Sequence, residues 1–134
     1  MKKEFLSYDL ALELKKLGFD ESCFAFYGLS RDDYKTIRLS IFQNLKTDYL
    51  PDVHHLDVTC DAPLYQQAFR FFREKYMLSG EIYIFKNIWN FDIEDINNSI
   101  QLYTSDITSY STYEEAELEC LVKLIDIVKK QNVK

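Results

Sequence analysis

His54, His55, Asp57 and Cys60 form a mixed cluster of metal-ligating residue types, HHxDxxC. A structural zinc site wants paired ligands in two knuckles, and HHxDxxC matches no such spacing. Adjacent histidines also point to opposite sides of an extended chain. The group is read as a loop or strand edge, with no metal and no cofactor assigned. Asp92, Glu94 and Asp95 form a dense acidic stretch, FDIEDI. Paired carboxylates can do acid–base work or hold Mg²⁺, but no nucleophile, general acid or phosphate cradle lies nearby. The stretch is read as a solvated loop, and as a contact for a basic partner if it acts at all. Arg70, Arg73 and Lys75 sit among Phe69, Phe71, Phe72 and Tyr76, an interleaving that can hold single-stranded nucleic acid. Helical spacing sends most of those rings inward and the arginines to water. Phe71 falls off the stripe and is expected to be partly exposed.

Nucleophilic catalysis finds no more support. The serines lack a G-x-S-x-G context. The three glycines are too scattered for a P-loop or a dinucleotide-binding turn. Cys23, Cys60 and Cys120 are widely spaced, odd in number and set in apolar runs, where thiols are usually buried and inert. Reduced thiols fit a cytoplasmic setting. No catalytic residue is assigned, and the chain is read as something other than an enzyme.

Charge says more. The net charge is −6 and the pI about 4.9. It is uneven: residues 1–80 carry −1 and residues 81–134 carry −5. Such a chain is repelled by phosphate backbones and attracted to basic surfaces, including those that nucleic-acid-handling proteins present. The opening MKKEF begins like a signal peptide, but Glu4, Asp9 and Glu13 break any apolar run. No stretch approaches the roughly 20 apolar residues of a membrane span.

The elements that position these residues follow from spacing and caps. With 134 residues and 47% hydrophobic content, residues 1–134 are read as a single domain that needs no staple. Ser7 caps a first helix, Leu10, Ala11, Leu14 and Leu17 form its stripe, and Gly18 ends it. Residues 23–29 and 34–42 read as two strands of a hairpin, with a turn at 30–33. Residues 43–60 are irregular, with a possible strand at 56–60. Asp61 is read as the cap of a second helix, with Pro63 in its first turn. Its stripe is Tyr65, Ala68, Phe69, Phe72 and Tyr76, and Gly80 closes the unit. Residues 81–89 read as one central strand, and 100–103 and 107–110 as two more. Ser111 or Thr112 starts the last helix in a capping box with Glu114 or Glu115. Its buried face is Ala116, Cys120, Leu121, Leu124, Ile125 and Val128. The expected class is α+β: an antiparallel sheet of about four to five strands with three helices, in the order α-β-β-α-β-β-β-α.

The blocks DAPLYQQAFRFFREKY and TYEEAELECLVKLIDIVKK, with an opening helix ending KKLGFDE, resemble small uncharacterised proteins encoded by phages and prophages of Bacteroidetes. The matching positions are caps and core stripes, so the resemblance implies fold and origin and carries over no catalytic residue. Small acidic phage proteins of this kind often act against host defences. The chain is similar in origin, size and charge to inhibitors of type VI CRISPR effectors, the RNA-guided RNA-cleaving nucleases. The resemblance thus implies an inhibitory binding protein that docks on a host nuclease, or on another protein with a basic nucleic-acid-binding surface. It would block RNA loading or activation. The expected contacts are Asp92, Glu94, Asp95, Glu114, Glu115 and Glu117, with exposed Trp89 or Phe91 as anchor. A second reading is a phage nucleic-acid-binding or replication-accessory protein using Arg70 and Arg73. A third is an oligomeric scaffold built through the aromatic sheet.

Overall fold

A computed structural model describes residues 2–27, 37–39, 60–106 and 110–133. His54, His55 and Asp57, the turn at 30–33 and residues 107–109 lie outside them. The chain is α+β, with three α-helices and two antiparallel sheets. It divides into two compact units, Met1–Ala68 and Phe69–Lys134, and the division falls inside the second helix.

In the first unit, α1 (Tyr8–Lys16) starts where Ser7 Oγ accepts from the Leu10 N–H. Gly18 follows its end at φ 97°, a left-handed conformation that costs glycine nothing. The sheet has β1 (Ala25–Tyr27) at its centre, flanked by β2 (Ile37–Leu39) and β3 (Cys60–Ala62). Tyr27 opposes Ile37 on one side and Cys60 on the other. Leu6, Ala11, Leu14, Cys23, Ala25, Cys60 and Ala62 are buried. The Tyr27 hydroxyl donates to the Leu6 carbonyl, tying the N-terminal segment to the sheet.

Asp61 does not cap the second helix. It lies in β3 opposite Phe26, and α2 runs Tyr65–Tyr76. The Gln67 side chain does the capping, since its Oε1 accepts from the Leu64 N–H at 3.0 Å. That is the reciprocal half of a capping box without a capping serine. The Gln67 amide also donates to the Ser22 carbonyl at 2.9 Å, which anchors the turn. Pro63 precedes the helix, and its carbonyl accepts from the Leu6 N–H.

In the second unit, Ala68's neighbour Phe69 continues α2 with Phe71 and Phe72, all buried. Phe71 is therefore a core residue and not a half-exposed one, with its ring edge-on to Phe72 and to Tyr76. The sheet is a meander of β4 (Leu78–Phe85), β5 (Ile88–Asp95) and β6 (Ile100–Thr104). The expected single strand over 81–89 is two strands joined at Lys86 and Asn87. Both residues have positive φ, as a two-residue hairpin turn requires. FDIEDI is accordingly strand and not loop. Gly80 is not a terminator either: it lies in β4 opposite Ile93. The helix ends at Met77, which takes φ 55°.

Helix α3 (Tyr113–Asn132) begins at Thr112, whose Oγ1 accepts from the Glu115 N–H at 3.2 Å. Glu115 Oε2 returns to accept from the N–H and hydroxyl of Ser111. The buried face is the expected one, Ala116 to Val128. Lys123 and Lys130 both pair with Asp126 along the outer side.

Candidate docking surface

The hairpin register decides which side chains share a side of the second sheet. Directly opposed residues lie on one face. Ile82 opposes Phe91, Gly80 opposes Ile93 and Leu78 opposes Asp95, so these form the face that α3 covers. Glu81 opposes Asp92, Ser79 opposes Glu94 and Tyr83 opposes Asn90 on the outer face. There Glu81 and Glu94 are exposed and Asp92 half-buried. Tyr83 and Phe85 complete the face at 36% and 50% exposure, and Ile84 stands at the hairpin tip at 54%. The Tyr83 hydroxyl donates to Asp92 Oδ1 at 3.3 Å. Desolvation first, then the Asp92 carboxylate, raises the Tyr83 phenol above its ordinary range.

Glu81 and Asp92 face each other as like charges across two strands. Such a cross-strand pair is destabilising in an isolated sheet. The result is an acidic patch beside exposed Tyr83 and Phe85, while Asn90, on the same face of the central strand, is buried.

The expected contact residues are not gathered in one place. Asp92 and Glu94 lie on the outer face. Asp95 belongs to the other face and holds the β5–β6 turn, accepting from the N–H groups of Asn97 and Asn98 and from Asn98 Nδ2. Glu114, Glu115 and Glu117 lie in the first turns of α3, on the side of the sheet away from Asp92 and Glu94. Glu115 is engaged in its cap, and burial first, then the Glu117 carboxylate, raises the phenol of Tyr113. Trp89 is half-buried, edge-on to Tyr113 at 5.3 Å, with its backbone N–H donating to the Tyr110 carbonyl.

Phe91 overturns an expectation. It is 1% exposed, so it offers no exposed anchor. Its ring stacks on Tyr103 and Tyr110 at 5.5 and 5.8 Å. Beside it Asn90 and Ser105 are buried polar residues. Ser105 Oγ accepts from the Phe91 N–H at 2.8 Å, and the Ser105 N–H donates to the Phe91 carbonyl. The residues that sequence reasoning missed are Glu81, Tyr83, Ile84 and Phe85. Asn87 was the available signal, because asparagine tolerates positive φ and marks hairpin turns.

The thiols offer no competing chemistry. All three are buried, at 3%, 1% and 0% exposure. Burial pushes Cys60 up to about 11 and Cys120 up to about 12, and Cys23 higher still. A raised thiol stabilises the fold fully below its unfolded value and loses that contribution as pH climbs toward the folded one. Stability measured by denaturant titration should therefore fall between pH about 9 and about 12. At pH 8 a thiol reagent should label the native chain about 100-fold more slowly than the unfolded chain. Fast native labelling would contradict this burial.

Among the described residues, no group of three or more His, Cys, Asp or Glu side chains could hold a metal ion. No helix among them is long and apolar enough to cross a membrane. No family model matches the chain, and neither a curated protein nor a solved structure matches it.

Proposed function

We propose that this chain is a binding protein that docks its acidic sheet face on a basic, nucleic-acid-binding surface of another protein. The observation that carries the reading is the outer face of β4 and β5. Three carboxylates, Glu81, Asp92 and Glu94, share it with exposed Tyr83 and Phe85. A cationic partner would relieve the repulsion between Glu81 and Asp92 on contact. The rings would supply the apolar, low-entropy surface that anchors need. In line with the resemblance, the partner class we favour is a host defence nuclease, above all a type VI RNA-guided effector. The effect would be to block its RNA loading or activation from the cytoplasm of an infected host.

The test is direct binding of the full chain to a purified effector of that class. Affinity should fall as salt rises, because charge complementarity is screened beyond roughly 8–10 Å at physiological ionic strength. Replacing Glu81, Asp92 and Glu94 together by lysine should weaken binding at least about tenfold, equivalent to about 1.4 kcal/mol. Unchanged affinity would remove this face from the interface. Nucleic-acid binding through the exposed Arg70 and Arg73 is the alternative. A gel shift of single-stranded RNA by the isolated chain at physiological salt would favour it.

A further inference from the structure

The outer edge of β4 has its own hydrogen-bonding pattern. The Trp89 N–H donates to Tyr110, and the Phe91 carbonyl accepts from Ser105. Both backbone positions therefore turn away from β4. Their cross-strand partners, Ile84 and Ile82, must turn theirs away from β5. Among the described residues, no backbone hydrogen bond engages the outward groups of Ile82 or Ile84. Sheet edges are usually defended by shortness, proline, bulges or inward charges. The opposite edge strand, β6, is five residues long and paired through a register shift at Ile93 and Glu94. β4 has eight residues, no proline and no register shift in its pairing. Its outer half is the exposed run Tyr83, Ile84 and Phe85.

We propose that this edge pairs antiparallel with β4 of a second copy of the chain, about a two-fold axis at Tyr83. Charge complementarity selects this occupant. In that register Ile82 opposes Ile84 of the other copy on one face, and Tyr83 opposes its own equivalent on the other. Glu81 then opposes Phe85 of the other copy. The Lys86 ammonium lies over the Phe85 ring, 5.4 Å from its centroid. Each Glu81 thereby meets a Lys86, twice by symmetry, in a closed isologous contact. The two sheets become one six-stranded sheet. The contact is small beside the roughly 1,200–2,000 Å² of a stable interface, so the dimer forms at micromolar concentrations, on the order of 10 µM. Salt screens the repulsion between two chains of charge −6 and should strengthen it. Docking on a basic partner has the opposite salt response, and the dimer does not depend on that docking.

Sedimentation of the full chain over a concentration series tests the proposal. The expected result is a monomer–dimer equilibrium. Ile84→Pro removes an outward N–H and no ladder bond, and should raise the dissociation constant at least tenfold while circular dichroism is unchanged. If that variant does not fold, Glu81→Lys and Lys86→Glu decide: each alone should weaken the dimer, and the pair together should restore it. A monomer at every concentration up to about 100 µM would overturn the proposal. So would a dimer indifferent to these changes.

Discussion

Gly80→Val should cost the second unit about 3 kcal/mol or more, and Gly80→Ala about 1–3 kcal/mol. The reason is a close approach of α2 and α3 to the sheet. A Cβ at Gly80 would lie 2.6 Å from Cys120 Sγ, 2.9 Å from Phe69 Cε1 and 3.3 Å from Leu124 Cδ1. The first two separations are shorter than van der Waals contact allows. Cys120 sits on the buried face of α3 and is fully shielded from solvent. Alanine in a strand would gain roughly 0.5–1 kcal/mol from reduced unfolded-state freedom, which is too little to offset that overlap. Denaturant titration followed by Trp89 fluorescence reads the effect, since Trp89 is the chain's one tryptophan and belongs to this unit. Combining Gly80→Ala with Cys120→Ala should recover part of the loss, with a coupling of about 0.5 kcal/mol or more. Additive losses would mean that the sulfur is not what the new methyl meets.

The Gly80 result also marks where sequence patterning stops being informative. Helix ends with local chemistry were legible: Ser7, Gly18, and the Thr112–Glu115 pair act within one turn, and the structure places them as read. Gly80 looked like a terminator because a glycine after a helix is usually one. Its role is set by Cys120 and Leu124, some forty residues away, and no local pattern records that. Asp61 failed for a related reason. An aspartate two residues ahead of Pro63 is a good cap in isolation, but pairing with Phe26 claims Asp61 for a strand.

The candidate face on β4 and β5 is half legible in the sequence. Reading residues 81–89 as one strand put Trp89 on the same side as Tyr83 and Phe85. A two-residue turn at Lys86 and Asn87 reverses that phase, so Trp89 shares a face with Ile82 and Ile84. Once the phase is right, the alternation after it is plain: Phe91 and Ile93 inward, Asp92 and Glu94 outward. The acidic pair was therefore recognised from composition, while its aromatic companion was misassigned. Glu81 was invisible, since its proximity to Asp92 exists only through register.

The same phase reversal yields the other large expected effect. Phe91→Ala should destabilise the second unit by about 3–5 kcal/mol, the range for removing a buried aromatic ring. The ring is 1% exposed on the central strand and lies between Tyr103 and Tyr110, so its loss leaves a cavity and two stacking partners unmatched. The Phe91 N–H would keep its bond to Ser105, so the backbone has little reason to collapse into the space. Phe85→Ala, at the hairpin tip and 50% exposed, should change stability by only about 0.5 kcal/mol. The two variants separate architecture from recognition. Phe85→Ala should weaken partner binding in a chain that melts normally. Phe91→Ala should lower the melting midpoint and, below it, leave affinity nearly intact. The reverse pattern, with affinity lost at Phe91 in a stable chain, would show that the partner draws Phe91 out of the core and that the outer face is not the contact.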